Sequence, residues 1–244
     1  YLLGNINDKF EDVNFDEIDI ESLPELEKFL LNKIHILNQR FESCFHKYDF
    51  HNLYKELLSF CTVDLSAFYF DIRKDTLYCD PINSEKRKSC VTVLNILLKS
   101  LLRWFAPILS FTTEEIYQLI SKNRKSIHLE KFLKFPEKFK NDKLAEKWST
   151  LMQIRDVCNI SIEEKRASKE IGSSLEAELN IKLNKKYKDI ITNIDLSELC
   201  IVSKTEVYLD EVSDILVETK KASGDKCPVC WKISVEPCER HSQQ

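Results

Sequence analysis

The chain has 244 residues, of which 43% are hydrophobic and 31% charged, with a formal net charge of −4. These values are typical of one or two globular domains, and the lack of any run of about 18 apolar residues excludes a membrane span. Only three glycines are present, and neither GxGxxG nor GxxxxGK[ST] occurs, which excludes the common phosphate-binding loops of nucleotide-dependent proteins.

The first part of the chain predicts helices after an acidic segment. Residues 1–21 are acidic and irregular in pattern. Ser22 and Glu25 match the S-x-x-E capping box, and apolar residues at helical spacing predict a long helix from there to about Tyr48. Asp49 is suited to cap a second helix.

Two further helices follow a short helical or irregular stretch at 64–78. Ser84 opens a third helix, and Pro107 stops it. Thr112 and Glu115 form another capping box and predict the start of a fourth helix. The short connections between the four helices predict an antiparallel bundle over residues 22–142.

The middle of the chain is basic although the whole chain is not. Residues 83–147 carry 14 basic and 7 acidic side chains, whereas residues 1–30 carry 2 basic and 9 acidic ones. Such a region can follow a phosphate backbone, but a solvated lysine-rich face explains the same pattern. Within it, the Lys- and Phe-rich residues 123–142 are predicted as a linker.

Residues 143–222 predict one more helix and a small α+β module. Gly172 is predicted to terminate this helix or the turn after it. Strict alternation at 179–183 predicts a half-buried strand, and 185–194 a short helix. Three more strands are predicted, at 199–202, 207–209 and 215–217.

The end of the chain, residues 223–244, predicts a zinc ribbon. Cys227, Cys230, Cys238 and His241 follow the spacing C-x2-C-x7-C-x2-H. Two thiolates from one tight turn and a second half-site can supply the four tetrahedral donors of one structural Zn²⁺ ion. A redox-active pair or spare thiols are the alternative. The remaining six cysteines are scattered in apolar contexts and predict buried thiols in a reducing cytoplasm.

No catalytic constellation is found among the histidines, serines and carboxylates, so the pattern favours a binding module without an active site of its own. Trp231 directly follows Cys230 and has cations around it. An exposed ring on such a turn can stack on an unpaired base while the cations meet phosphates. The ring can equally cover the metal site as a small core.

Several segments together resemble the bacterial isoleucyl-tRNA synthetase family, in order along essentially the whole chain. The segment 103–116, RWFAPILSFTTEEI, resembles the anticodon-binding helical bundle of class I aminoacyl-tRNA synthetases for aliphatic amino acids. The narrower resemblance is carried by YLLGN at 1–5, YDFH at 48–51, FCTVD at 60–64, FYFDIRKD at 68–75, IGSSLEA at 171–177 and CPVCW at 227–231.

The resemblance implies a C-terminal part of an enzyme that attaches isoleucine to its tRNA with ATP. The ATP-dependent catalytic domain and the editing domain of that family are absent from this sequence, so the chain alone is expected to be non-catalytic. The family places a tryptophan near the anticodon loop, which favours stacking for Trp231. Its zinc site normally uses four cysteines, whereas His241 stands at the fourth position here.

From these observations we expect a cytoplasmic, monomeric chain whose partners are an isoleucine-accepting tRNA and the catalytic domains of the same protein. The expected tRNA contacts are Trp231, Lys232, Lys226, Arg240, Arg73, Lys74, Lys86, Arg87 and Lys88. The alternative from another class is a zinc-stabilised helical scaffold that binds protein and no RNA.

Overall fold

The computed structural model describes residues 1–6, 14–121, 125–238 and 240–241. They divide into two compact units, Tyr1–Ala145 and Glu146–Gln244. About 60% of the described residues are helical, and the second unit holds a small sheet and a Cys/His cluster. The predicted fold class, mainly α with a small C-terminal sheet, is confirmed at this level. No helix in the described ranges is long and apolar enough to cross a membrane.

The first unit is built from helices that share one apolar core. α2 packs against α3 and α5, and α5 also packs against α1, α4 and α6. A π-helical segment, Phe60–Phe70, joins α3 to α4 without a break. The described helices of this unit are α1 (Leu2–Ile6), α2 (Glu25–His46), α3 (Phe50–Ser59), α4 (Asp71–Cys79), α5 (Glu85–Phe105) and α6 (Ser110–Ile120).

Two of the predicted caps are confirmed. The Asp49 side chain accepts a hydrogen bond from the Asn52 N–H and begins α3. The Ser84 side chain accepts one from the Arg87 N–H and begins α5. In both places the side chain satisfies an N–H group that has no partner within the first helical turn.

Both predicted capping boxes are wrong. α2 begins at Glu25 after Pro24, whose fixed φ suits a helix start, and the Ser22 hydroxyl donates to the Asp19 carbonyl. α6 begins at Ser110, so Thr112 lies inside it. The turn between α5 and α6 is short because the Leu109 N–H donates a hydrogen bond of 2.7 Å to the Phe105 carbonyl. The N-terminal segment, predicted as irregular, contains helix α1.

The segment 125–141 is fixed to the helices although it has little regular structure. It contains the 3₁₀ turns Ile127–Leu129 and Glu137–Phe139. The Glu130 carboxylate accepts hydrogen bonds from the Arg103 guanidinium at 2.7 Å and the Tyr117 hydroxyl at 3.0 Å. The predicted linker therefore has the irregular structure expected of it, but it is fixed to the helices. Residues 123 and 124 lie outside the described ranges.

Helix α7 (Asp142–Ala167) ends five residues before Gly172, so of the two predicted roles of this glycine, the end of the helix is wrong, and Gly172 lies after the turn that follows the helix. Lys169 adopts a φ of 62° after its last turn. The Glu170 N–H bonds the Lys165 carbonyl and the Lys169 N–H bonds the Arg166 carbonyl, which is the Schellman pattern. Lysine, and not glycine, thus occupies the left-handed position at the end of this helix.

The second unit contains a three-stranded sheet of order β2-β1-β3, formed by β1 (Ala177–Asn184), β2 (Lys204–Asp210) and β3 (Leu216–Lys221). β2 runs parallel to β1 and β3 antiparallel to it. The alternating burial of β1 confirms the predicted half-buried strand. The Ser161 hydroxyl of α7 lies 2.7 Å from the Thr219 hydroxyl of β3, which joins the helix to the sheet.

The short elements of the second unit agree with the sequence in part. Helix α8 (Lys188–Ile191) lies in the predicted region 185–194. The predicted strand at 199–202 is wrong, because helix α9 (Leu196–Leu199) and a turn occupy this place. Asp195 caps α9 by accepting hydrogen bonds from the Ser197 and Glu198 N–H groups, a local signal that outweighs the β-branched residues that follow.

Candidate metal centre and nucleic-acid interface

The segment that carries the four predicted metal ligands begins in a two-stranded hairpin of β4 (Asp225–Lys226) and β5 (Ile233–Ser234). The strands are antiparallel, with Lys226 opposite Ile233. The loop between them carries Cys227 and Cys230. The Cys227 N–H bonds the Lys232 carbonyl at 2.9 Å, and the Trp231 N–H bonds the Cys227 carbonyl at 3.0 Å. These bonds close a tight turn that holds both thiols on one side.

The structure brings the four sequence-predicted ligands together. The Sγ atoms of Cys227, Cys230 and Cys238 and a ring nitrogen of His241 all lie within 4.8 Å of one another. Cys230 Sγ is 3.8 Å from Cys238 Sγ, and His241 Nδ1 is 3.5 Å from Cys227 Sγ and 3.4 Å from Cys238 Sγ. Cys227, Cys230 and His241 are buried, and Cys238 is half-buried.

These separations fit tetrahedral zinc. Bonds of about 2.3 Å to sulfur and 2.0–2.1 Å to nitrogen at tetrahedral angles place two sulfurs about 3.8 Å apart and a sulfur and a nitrogen about 3.5 Å apart. The observed distances between the donor atoms agree with both values. The donor set could therefore hold Zn²⁺ through three thiolates and the Nδ1 atom of His241.

Hydrogen bonds from the backbone of the turn favour the thiolate form of Cys227. Burial raises the pKa of the Cys227 thiol, but the N–H groups of Cys230 and Val229 and the His241 ring outweigh it and lower that pKa to about 6. Burial raises the pKa of Cys230 to about 12 against a hydrogen bond from the Lys232 N–H. Cys227 is thus the member of this pair that ionises more readily, and a bound metal ion would ionise Cys230 as well.

Gly224 is needed for the hairpin to close, and it was not among the residues predicted from the sequence. Its φ is +120°, and a Cβ atom there would lie 2.2 Å from the carbonyl carbon and oxygen of Ser234. Only glycine adopts this conformation without strain. Its place directly before β4, in a chain with three glycines, was the available signal.

We expect Gly224→Ala to weaken zinc binding, because the added Cβ pushes β5 away from β4 and distorts the turn that carries two ligands. Competition with a chelator measures the zinc affinity. Gly4→Ala is the matched control, since a Cβ at Gly4 meets nothing within 4 Å. Equal zinc affinity of the two variants would contradict the prediction.

Trp231 projects from the metal-ligand turn into solvent. Its side chain is 59% exposed, and its backbone has a φ of 66°. The Lys226 ammonium lies 5.2 Å from the centre of the indole ring, a cation–π distance. Arg240 is exposed and Lys232 half-buried. The ring is therefore too open to serve as a small core over the metal ligands, and one cation lies against it.

The sequence of this chain matches a known protein family over a continuous range. The family described as the anticodon-binding domain of tRNA ligase matches residues 27–183, which is more than half of the chain. The chain belongs to this family. The match includes the helices of the first unit from α2 onward and continues through α7 into β1.

Similar proteins are isoleucine–tRNA ligases. That of Pelagibacter ubique (strain HTCC1062) is 61% identical over 242 residues, which cover 99% of this chain and 27% of that protein. That of Bartonella henselae is 37% identical over 230 residues, covering 90% and 24%. The chain spans about a quarter of the length of these relatives. It matches the C-terminal, anticodon-binding part of such enzymes and not their catalytic domain.

Within this anticodon-binding domain, Arg73 is not exposed as a side chain that binds phosphate must be. Its side chain is buried, and its Nε and Nη2 atoms donate hydrogen bonds of 2.6 Å to the buried Glu27 carboxylate. Tyr69 donates to the same carboxylate at 3.1 Å. The expectation that Arg73 contacts tRNA is therefore corrected, because this cation neutralises a core carboxylate.

The other predicted cations of the first unit lie nearer to solvent. Lys74 is exposed and pairs with Asp71 at 2.7 Å, and Lys88 is exposed and pairs with Glu85 at 2.8 Å. Both are pairs three residues apart on a helix, which are weak and exchange readily with another anion. Lys86 and Arg87 are half-buried, and Arg87 donates to the Asp80 carbonyl at 2.5 Å.

Proposed function

We propose that the chain is the part of an isoleucine–tRNA ligase that binds the anticodon stem-loop of an isoleucine-accepting tRNA. The observation that carries the proposal is the exposed Trp231, placed beside Lys226 on a turn of metal ligands, in a chain of the anticodon-binding family. Activation of isoleucine with ATP, its transfer to tRNA and editing belong to other domains of the same enzyme.

In this proposal the metal site is a structural zinc ribbon. Bound Zn²⁺ would tie Cys227, Cys230, Cys238 and His241 together and supply no chemistry beyond that. The ligands sit on both sides of Trp231 along the chain, so closing the site limits the directions the ring can take. A ring that is already ordered loses little entropy when a base stacks on it.

The chain's cations would meet the phosphate backbone, while the ring meets a base. Phosphate contacts supply affinity, and stacking and edge contacts on unpaired bases supply recognition. The cations that we propose for this role are Lys226, Lys232, Arg240, Lys74, Lys86, Arg87 and Lys88. The chain would act in the cytoplasm as a monomer.

A titration with tRNA at several salt concentrations tests the proposal. Phosphate binding releases counterions, so the logarithm of the affinity must fall linearly with the logarithm of the salt concentration. Isoleucine-accepting tRNA must also bind more tightly than a non-cognate tRNA. A protein-interaction scaffold, which the family match does not favour, would bind both tRNAs weakly and without preference.

We expect Trp231→Ala to weaken tRNA binding by about 1–3 kcal/mol, the range for loss of one base–aromatic stack. Trp231→Phe should retain most of the affinity because it keeps an aromatic face. Val235→Ala is the control, since Val235 is an exposed apolar residue of the same segment without a ring. Unchanged affinity of Trp231→Ala at full zinc content would assign the ring another role.

A further inference from the structure

Ser203 connects the zinc ribbon to the three-stranded sheet. It lies directly before β2, and its hydroxyl sits between two backbone groups. The hydroxyl accepts a hydrogen bond from the Ile233 N–H at 2.6 Å and donates one to the Leu175 carbonyl at 2.5 Å. The Ser203 N–H also bonds the Ala177 carbonyl at 3.1 Å. The serine is thus held by the sheet and offers β5 a fixed acceptor.

A continuous set of contacts leads from this hydroxyl to the exposed ring. Ile233 begins β5 and pairs with Lys226 of β4. The Lys226 ammonium lies 5.2 Å from the centre of the Trp231 ring. Trp231 is also only two residues before Ile233 along the chain. An interaction that fixes Ile233 on the sheet therefore limits the direction of the Trp231 ring in two ways, through the chain and through Lys226.

The positive charge of Lys232, between these two residues, acts on a carboxyl group of the same unit. Burial of Asp195 opposes ionisation, but hydrogen bonds from Ser197 and Glu198 and the positive charge of Lys232 outweigh it and lower the pKa of this carboxyl. Asp195 is fixed as the cap of α9.

We propose that Ser203 is a positioning residue for tRNA recognition. By holding the Ile233 N–H, its hydroxyl sets the direction in which Trp231 faces away from the sheet. This proposal rests on the proposed role of Trp231 in binding. Without the hydroxyl, the four metal ligands remain in place, but the ribbon turns more freely on the sheet. Its ordering on binding then costs entropy and weakens the complex.

The test compares Ser203→Ala with Ser203→Thr, which keeps a hydroxyl, and with Ser213→Ala. Ser213 is an exposed serine of the β2–β3 connection, bonded to its neighbour Asp214. The full zinc-loaded chain carries fluorotryptophan, whose ¹⁹F signals separate exposed Trp231 from the two buried tryptophans. Amide exchange of Ile233, zinc content and affinity for isoleucine-accepting tRNA are measured on the same samples.

In Ser203→Ala we expect the Ile233 amide to exchange about tenfold faster, since one hydrogen bond to a partly buried donor is lost. The Trp231 signal should move or broaden while those of Trp104 and Trp148 stay. Zinc content should stay at one equivalent, and tRNA affinity should fall about tenfold. Ser203→Thr and Ser213→Ala should match the unaltered chain.

Two results would overturn the proposal. One is a Ser203→Ala chain with an unaltered Trp231 signal and unaltered tRNA affinity. The other is a loss of zinc together with the affinity, which would assign Ser203 to the metal site and not to the direction of the ring. If the unaltered chain does not bind tRNA, the proposed function fails, and the exchange and ¹⁹F signals still decide whether Ser203 holds the ribbon.

Discussion

Arg73→Met is expected to lower the free energy of unfolding of the helical unit by about 3–5 kcal/mol, the range for breaking a buried ion pair from one side. Arg73 and Glu27 are both buried and share two hydrogen bonds of 2.6 Å. Removing the cation leaves the Glu27 carboxylate in the interior without its counter-charge. Amide hydrogen exchange of α2, which carries Glu27, measures the loss within this unit.

Lys74→Met is the matched control, because Lys74 is the next residue, carries the same charge and is exposed. We expect it to have little effect on stability. The double variant Glu27→Leu with Arg73→Met should recover much of the loss, since it removes both charges and leaves apolar groups of similar size. If Arg73→Met were no more destabilising than Lys74→Met, the buried pair would not hold the core.

This pair also shows why Arg73, a core residue, was predicted from its sequence as a tRNA ligand. Arg73 and Lys74 are adjacent cations, and their sequence context does not say which of them meets an acid 46 residues earlier. The periodicity of α4 was the available signal. Ile72, Thr76 and Leu77 are buried and place Arg73 on the inner face, whereas Lys74 lies outside it.

Several features with a local cause were predicted correctly, although both capping boxes were not. Asp49 and Ser84 begin helices because their own side chains bond N–H groups three residues later. The alternation of β1 follows from the period of a strand with one buried face. The four predicted metal ligands come together within a span of fifteen residues, where spacing alone limits the geometry.

Features that depend on distant partners or on backbone strain were not predicted. Ser203 acts on Ile233, 30 residues away, and nothing in its local sequence indicates that bond. Gly172 was predicted to end α7 or the turn after it, but the helix itself ends at Ala167, and Lys169 after it adopts the left-handed conformation because two backbone hydrogen bonds of the Schellman pattern hold it. Propensity is a weak guide wherever such tertiary or backbone bonds decide.

Cys230→Ser is expected to lower the zinc affinity of the chain by at least a hundredfold. A hydroxyl is a far weaker zinc ligand than a thiolate, and even the loss of a hydrogen-bond partner behind a ligand costs about 10–100-fold. Cys230 is buried, and its Sγ atom lies 3.8 Å from that of Cys238. Metal analysis after a chelator challenge measures the loss.

The same variant separates a structural metal from a redox pair. If zinc holds the ribbon, Cys230→Ser should weaken tRNA binding at least as much as Trp231→Ala, since the turn that carries the ring loses its order. Cys44→Ser, at a half-buried cysteine of the helical unit, should change neither zinc content nor tRNA affinity. A freshly purified, unaltered chain without zinc, or a Cys230→Ser chain that keeps one equivalent through the challenge, would contradict the zinc assignment. In the first case the C-x2-C pair would be left to its alternative, a pair of thiols that can form a disulfide.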